Sequence, residues 1–220
     1  TAHATPEGIR KIIRNTRAVT PHLALLIDTK GPEVRTTGVK EPIAYKTDEQ
    51  VAISGHPDTE TTHDHVCVSC TSFANDVKVG DDVLFDDGAL AMKVVGKEGD
   101  TLTARVLNDG TLGAHKSVNV PGEHIDLPAL SDRDKRMIRL AIDQDIDFIA
   151  HSFVRSAKDV HAVQRILDAY HSDIKIISKI ENQEGIDNID EIIEASYGIM
   201  VARGDLGVEL PAEIIPITQR

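Results

Sequence analysis

The sequence predicts an α/β fold, namely part of a (β/α)8 barrel of the TIM type that carries an inserted all-β domain. Apolar, β-branched runs recur along the chain and end abruptly in charged residues, as buried parallel strands do where they open into a site. The ends of three successive runs, at Phe153, Lys179 and Arg203, lie 26 and 24 positions apart. This spacing is typical of one strand-helix unit.

The first elements follow this pattern. Thr5 before Pro6 is typical of a helix N-cap followed by the first helical residue, and isoleucines at helical spacing give the next segment an apolar stripe. Residues 23–27 form a short apolar run that ends in the charged segment 28–33. We therefore expect one helix followed by one barrel strand.

The middle of the chain has a different sequence pattern. Short alternating segments are separated by the turn signals at 80–82 (GDD), 86–88 (DDG), 99–100 (GD), 108–110 (NDG) and 121–122 (PG). Such a pattern is typical of a compact all-β barrel or sandwich. We assign residues 39–127 to an inserted β-rich domain, and residues 1–38 together with 128–220 to a discontinuous barrel domain.

The strand-helix alternation then resumes to the end of the chain. We expect helices capped by Ser131 and Ser156 and a third over about 185–196, with strands over 148–153, 175–180 and 198–202. A doubly wound sheet is the alternative, but no glycine-rich phosphate loop follows any strand. About four barrel strands are found where closure needs eight, so we expect the chain to be part of a longer protein.

Composition limits the function classes. The 220 residues carry 36 acidic and 24 basic side chains, a net charge of -12, and only 3% aromatic residues with no Trp. This balance argues against binding to nucleic acid or to an anionic membrane. No apolar run reaches the length of a membrane span, and the start of the chain does not look like a signal peptide. We expect a cytoplasmic protein with an aliphatic core.

The two cysteines lie in a segment that looks at first like a zinc site, residues 63–70 (HDHVCVSC). As a strand, this segment alternates, with Cys67 and Cys70 on opposite faces. No second Cys/His pair at ligand spacing is present. We favour an ordinary strand with two reduced cysteines, and a zinc site is the alternative.

Three charged residues near the ends of two successive strands form the candidate site. Lys179 and Glu181 are two positions apart, so they project from one face of an extended strand. Asp205 follows the next strand. One ammonium and two carboxylates in this arrangement suit a divalent cation and an anionic substrate.

Several motifs, in this order around a β-rich insertion, closely resemble the pyruvate kinase family. They are residues 28–36 (DTKGPEVRT), 85–88 (FDDG), 113–122 (GAHKSVNVPG), 151–155 (HSFVR), 175–182 (KIISKIEN) and 201–211 (VARGDLGVELP). The resemblance covers essentially the whole chain. It implies transfer of a phosphoryl group from phosphoenolpyruvate to ADP, giving pyruvate and ATP.

The resemblance implies a role for each matched residue near the phosphoryl group. Glu181 and Asp205 match the carboxylates that hold Mg²⁺ or Mn²⁺, and Lys179 matches the residue that stabilises the transferring phosphoryl group and the enolate. The backbone at Gly204 and Asp205 would face the substrate carboxylate.

The resemblance also implies a monovalent cation site and a nucleotide site. Asp28 and Thr29 match ligands of K⁺, and Glu33 is typical of members that require this ion. Ala2 departs from the pattern, because a Ser ligand is common at its place. The family's nucleotide-phosphate contacts match three residues here, Arg35, Lys116 on the inserted lid domain, and His3.

The whole protein is expected to be a homotetramer, as is common in the family, and the 220-residue chain alone is expected to be inactive. Two alternatives remain open. One is a Mg²⁺-dependent barrel aldolase of the phosphoenolpyruvate/pyruvate type, against which Lys116 and the 28–36 motif argue. The other is a non-catalytic module.

Overall fold

The computed structural model describes residues 5–211 and 213–219. Its helices are α1 (Pro6–Val19), α2 (Phe73–Asp76), α3 (Asp132–Asp143), α4 (Ala157–Ala169), α5 (Gln183–Asp187), α6 (Ile189–Ala195), α7 (Arg203–Glu209) and α8 (Ile215–Thr218). Its strands are β1 (Leu26–Asp28), β2 (Val34–Thr37), β3 (Ile43–Tyr45), β4 (Gln50–Ser54), β5 (His65–Val68), β6 (Asp82–Phe85), β7 (Leu90–Glu98), β8 (Thr101–Val106), β9 (Gly110–Leu112), β10 (Ser117–Asn119), β11 (Phe148–His151), β12 (Lys175–Ile180) and β13 (Gly198–Val201).

The chain forms two compact units. One contains the described residues up to Pro32, Pro128–Leu206 and the segment from Ile215, and the other contains Glu33–Leu127 with Gly207–Ile214. From the sequence, the first boundary was expected after residue 38. The structure begins the second unit at Glu33, because β2 pairs with β5 and β10 of that unit.

The first unit is a four-stranded parallel sheet in the order β1-β11-β12-β13. Helices connect its last three strands, and the predicted α/β class is thereby confirmed. The sheet and helices enclose an aliphatic core whose fully buried members include Ile138, Ile149, Val163, Leu167 and Ile192. Because the strands are parallel and in register, their carboxyl ends meet at one edge of the sheet.

Helix starts in this unit show where local sequence signals hold and where they fail. The Thr5 hydroxyl accepts from the N–H of Gly8, and Ser131 forms a reciprocal capping box with Asp134, as N-cap rules predict. Ser156 also occupies an N-cap, but its hydroxyl makes no capping hydrogen bond. Instead, the carboxylate of Glu191 accepts from the first helical N–H of α4.

The single helix expected over residues 185–196 is two helices, α5 and α6, separated at Asn188. Asn182 starts α5 early because its side chain accepts from the N–H of Gly185. The Asn188 side chain donates to the main-chain carbonyl of Arg155, which holds the break in place. The strand expected at 23–27 is also shorter, beginning at Leu26.

The second unit is a closed seven-stranded barrel in the order β10-β2-β5-β4-β8-β7-β6, with β3 and β9 forming a separate two-stranded sheet. The predicted all-β insertion is confirmed as a barrel rather than a sandwich. Its interior is filled by aliphatic side chains and two phenylalanines, Phe73 and Phe85. Cys67 and Cys70 are both buried and both free thiols.

No helix within the described residues is long and apolar enough to cross a membrane.

The barrel interior offers a direct test of packing. Leu102 on β8 is fully buried, whereas its neighbour Thr103 is exposed. We expect Leu102→Ala to lower the free energy of unfolding by about 3 kcal/mol, because the truncated side chain leaves a cavity between closely packed strands. Thr103→Ala is the matched control on the same strand and should cost less than about 1 kcal/mol. Urea unfolding followed by circular dichroism measures both, and equal losses would contradict the packing assigned to Leu102.

Candidate active site

The candidate site lies at the carboxyl edge of the parallel sheet of the first unit. Thr29 follows β1, Ser152 follows β11, Glu181 follows β12, and the segment with Asp205 follows β13. These four strands are adjacent and parallel, so the residues that follow them are gathered at one edge although they are distant in sequence. The strand-then-charge pattern in the sequence therefore predicted the location of the site.

Lys179 and Glu181 form a close ion pair at the end of β12. The ammonium nitrogen of Lys179 lies 2.7 Å from Oε1 of Glu181, and Glu181 is only 1% exposed. The other carboxylate oxygen, Oε2, accepts a 2.6 Å hydrogen bond from the main-chain N–H of Phe153. Both oxygens of this buried carboxylate are thus engaged, and its orientation is fixed by its own strand and by the β11 loop.

The electrostatics of the pair reflect burial and neighbouring carboxylates. Burial by itself lowers the pKa of Lys179, but the contact with Glu181 and the charges of Asp28 and Asp205 more than offset it, so the pKa of Lys179 is raised. Burial also raises the pKa of Glu181, and the ammonium of Lys179 only partly counteracts this. Lys179 is therefore a permanent cation beside a carboxylate that is costly to keep ionised without a positive partner.

Ser152 connects Lys179 to the loop after β1. Its hydroxyl accepts from the Lys179 ammonium at 3.3 Å and donates to the main-chain carbonyl of Thr29 at 2.9 Å. Its main-chain N–H donates to the Thr29 hydroxyl at 3.0 Å. Two hydrogen bonds between the same two residues hold the end of β11 to the end of β1.

Gly31 allows this close approach between the two loops. Its φ is +78°, and a Cβ placed there would lie 2.6 Å from the main-chain oxygen of Ser152. A side chain at this position is excluded both by backbone conformation and by contact. The glycine therefore sets the distance between the β1 loop and Ser152.

His151 completes the buried part of the site. It is 0% exposed, and its Nδ1 lies 3.1 Å from the Thr29 hydroxyl. Burial lowers the pKa of His151 to about 4, so the imidazole is neutral near pH 7. His151 and Ser152 belong to the motif at 151–155, but neither residue could be given a role from the sequence. Their only local signal is that they end a strand of the sheet whose other ends carry Lys179 and Glu181.

Gly204 and Asp205 lie in the first turn of α7, after β13. Asp205 is exposed, and its charge contributes to raising the pKa values of both Lys179 and Glu181. A Cβ at Gly204 would meet no described atom within 4 Å, so the backbone here is open. The three charged residues expected together from the sequence thus share one electrostatic environment.

The donor set can be compared with the metal chemistry that the sequence suggests. Two carboxylates, Glu181 and Asp205, are oxygen donors of the kind Mg²⁺ or Mn²⁺ uses when substrate and water supply the remaining positions. In the described part of the chain no group of three His, Cys, Asp or Glu side chains is arranged to hold a metal ion by itself. The residues fit a substrate-completed site and not a closed structural one.

The nucleotide residues expected from the sequence lie in the second unit, apart from His3. Arg35 pairs with Glu33 in a forked arrangement, with 2.7 Å between Nη2 and Oε1, and also donates to the carbonyl of His115. Lys116 lies 2.9 Å from a carboxylate oxygen of Asp86. Arg35 pairs with Ser117 across β2 and β10 and bonds the carbonyl of His115, so it lies next to the segment that carries Lys116. His3 and Ala2 lie outside the described residues.

Comparison with known proteins identifies the family of this chain. A sequence model of one family, described as "Pyruvate kinase, barrel domain", matches residues 2–220. The chain is 51% identical over 220 residues to a pyruvate kinase of Borreliella burgdorferi, covering all of this chain and 46% of that protein. It is 41% identical over 216 residues to one of Staphylococcus epidermidis, covering 97% of this chain and 36% of that protein. It is 45% identical over 202 residues to one of Geobacillus stearothermophilus, covering 90% of this chain and 34% of that protein.

The chain therefore spans less than half the length of these relatives. The match nevertheless extends across both compact units and every strand end of the candidate site. The chain belongs to the pyruvate kinase family.

Proposed function

We propose that the full-length protein carrying this chain transfers the phosphoryl group of phosphoenolpyruvate to ADP, giving pyruvate and ATP in glycolysis. The observation that carries the proposal is the Lys179–Glu181 pair at the carboxyl edge of the sheet, 2.7 Å apart and held by the ends of β11 and β12. A fixed cation of this kind, in a site where burial strengthens its field, suits a reaction whose transition state spreads negative charge over a phosphoryl group and an enolate.

In this reaction the bond between the enol oxygen and phosphorus breaks, and a β-phosphate oxygen of ADP forms the new bond. The enolate left behind takes a proton at its methylene carbon and becomes pyruvate. Lys179 would neutralise charge on the moving phosphoryl group and on the enolate oxygen. The main chain at Gly204 and Asp205 would bind the substrate carboxylate.

Metal ions would complete the positive surroundings. Glu181 and Asp205 would hold Mg²⁺ or Mn²⁺, which supplies Lewis-acid stabilisation of the substrate's oxygens when bound. Asp28 and Thr29 would hold K⁺ at the end of β1. Arg35, Lys116 and His3 would contact the phosphates of the nucleotide, with Lys116 carried on the β-barrel unit. We also propose a homotetramer in the cytoplasm; family membership supports the assembly and the compartment.

The test is ATP formation by the full-length protein from phosphoenolpyruvate and ADP, followed by ³¹P NMR with Mg²⁺ and K⁺ present. We expect the phosphoenolpyruvate signal to be replaced by those of ATP, and we expect chelation of Mg²⁺ by EDTA to stop the conversion until the metal is restored. Phosphoenolpyruvate that stays unchanged in the complete mixture would reject the proposal. If the protein forms no ATP, but consumes pyruvate when pyruvate and an aldehyde are supplied in place of phosphoenolpyruvate and ADP, aldolase chemistry would be favoured instead.

A further inference from the structure

A continuous chain of hydrogen bonds links the buried imidazole of His151 to the ammonium of Lys179. Nδ1 of His151 lies 3.1 Å from the Thr29 hydroxyl, and that hydroxyl accepts the N–H of Ser152 at 3.0 Å. The Ser152 hydroxyl in turn accepts from Lys179 at 3.3 Å. His151, Thr29 and Ser152 are 0%, 1% and 4% exposed, so water cannot substitute readily for a lost partner.

The directions of the three hydrogen bonds made by Ser152 are given by their donors, and the direction of the His151–Thr29 bond follows from the tautomer assigned to His151. The Thr29 hydroxyl receives a hydrogen from the main chain of Ser152 and has one hydrogen of its own to donate. We assign that hydrogen to Nδ1 of His151, which accepts it when the neutral imidazole carries its own proton on Nε2. The Ser152 hydroxyl donates its hydrogen to the Thr29 carbonyl, which leaves its lone pairs for Lys179.

We propose that His151 is a positioning residue for Lys179, acting through Thr29 and Ser152; this inference rests on the proposed phosphoryl transfer. By accepting the Thr29 hydrogen, His151 fixes the hydroxyl rotamer that receives the Ser152 N–H. Ser152 then presents its oxygen to the ammonium in one orientation. The ammonium is thereby held by two partners, Ser152 and Glu181, before substrate binds.

A buried histidine also fills space, and packing alone would give a different response to substitution. Nε2 makes no hydrogen bond of standard geometry within the described residues. The substitutions are therefore chosen to remove or keep the hydrogen bond between Nδ1 and the Thr29 hydroxyl. The amide of His151→Asn can place its oxygen where Nδ1 stands but leaves a void in place of the rest of the ring. His151→Leu fills most of the space and has no acceptor.

The experiment compares these two variants in the full-length protein, together with His151→Gln, whose amide reaches the place of Nε2 instead of Nδ1. For His151→Leu and His151→Gln we expect kcat to fall about tenfold with the KM for phosphoenolpyruvate changed less than twofold, the pattern of an interaction that matters only in the transition state. For His151→Asn we expect kcat within about threefold of the parent, although its melting temperature falls further than that of His151→Leu.

A double-mutant cycle locates the effect. Thr29→Val removes the hydroxyl and keeps the main-chain carbonyl, so adding His151→Leu to it should lower kcat less than twofold further. A His151→Leu variant with normal kcat would overturn the inference. So would activities that follow the melting temperatures of the three variants instead of the presence of an acceptor. A parent protein that makes no ATP would reject the proposed function itself, which is a separate outcome.

Discussion

Replacing Lys179 by methionine in the full-length protein is expected to lower kcat for ATP formation by about a thousandfold. In the proposed mechanism this ammonium is the fixed positive charge that neutralises the transition state, and loss of one such group costs about two to three orders of magnitude in comparable sites. Methionine keeps a long unbranched stem, so the loss reports charge and not shape. Steady-state assays at saturating Mg²⁺ and K⁺ measure it.

The same substitution should also destabilise the fold, and a second variant separates the two effects. Without Lys179 and in the absence of metal, Glu181 is a buried carboxylate with no other ion-pair partner within the described residues, which costs about 3 kcal/mol or forces the carboxylate to take up a proton. Combining Lys179→Met with Glu181→Gln removes both charges, so stability should recover while activity stays lost. Near-normal turnover in Lys179→Met would remove the residue from the proposed mechanism.

Arginine at this position is the conservative control. Lys179→Arg keeps the charge, but the planar guanidinium is larger and cannot reproduce a point contact with both Ser152 and Glu181. We expect its kcat to lie between those of the parent protein and of Lys179→Met. That ordering would show that location matters in addition to charge.

The sequence was sufficient to predict the position of the charged residues because strand ends leave a local signal. An apolar run that stops at Lys179 and Glu181 places them on one face and at one sheet edge, whatever lies next to the strand. The capping signals of Thr5 and Ser131 were equally local, and the structure confirms both. Predictions of this kind depend only on residues within a few positions of one another.

Contacts across the sheet could not be predicted in this way. Ser152 meets Thr29 from 123 positions away, and only the register of β1 against β11 brings them together. Glu191 caps α4 for the same reason, from another helix, although Ser156 had the better local signal. The strand-end sequence pattern therefore predicts where the charged residues of the candidate site lie. The hydrogen bonds across the sheet become known only once the pairing of the strands is known.

Gly31, in the loop after β1, is expected to tolerate substitution poorly. We expect Gly31→Ala to lower the free energy of unfolding by about 4 kcal/mol, since a positive φ costs an alanine roughly 1–2 kcal/mol and the contact with Ser152 adds a comparable or larger cost. To relieve the 2.6 Å contact, the β1 and β11 loops must separate. Separation would lengthen the Ser152–Thr29 hydrogen bonds and release Lys179, so activity should fall as well.

Gly122→Ala is the matched control for the backbone term. Its φ is +81°, close to that of Gly31, but a Cβ there would meet nothing within 4 Å. It should therefore lose only the conformational part, roughly 1–2 kcal/mol, and keep its activity. The difference between the two variants in urea unfolding isolates the contact with Ser152. If both variants lost the same free energy of unfolding, the close contact between the β1 loop and Ser152 would contribute nothing to that loss. Gly31 would then be required for its φ alone.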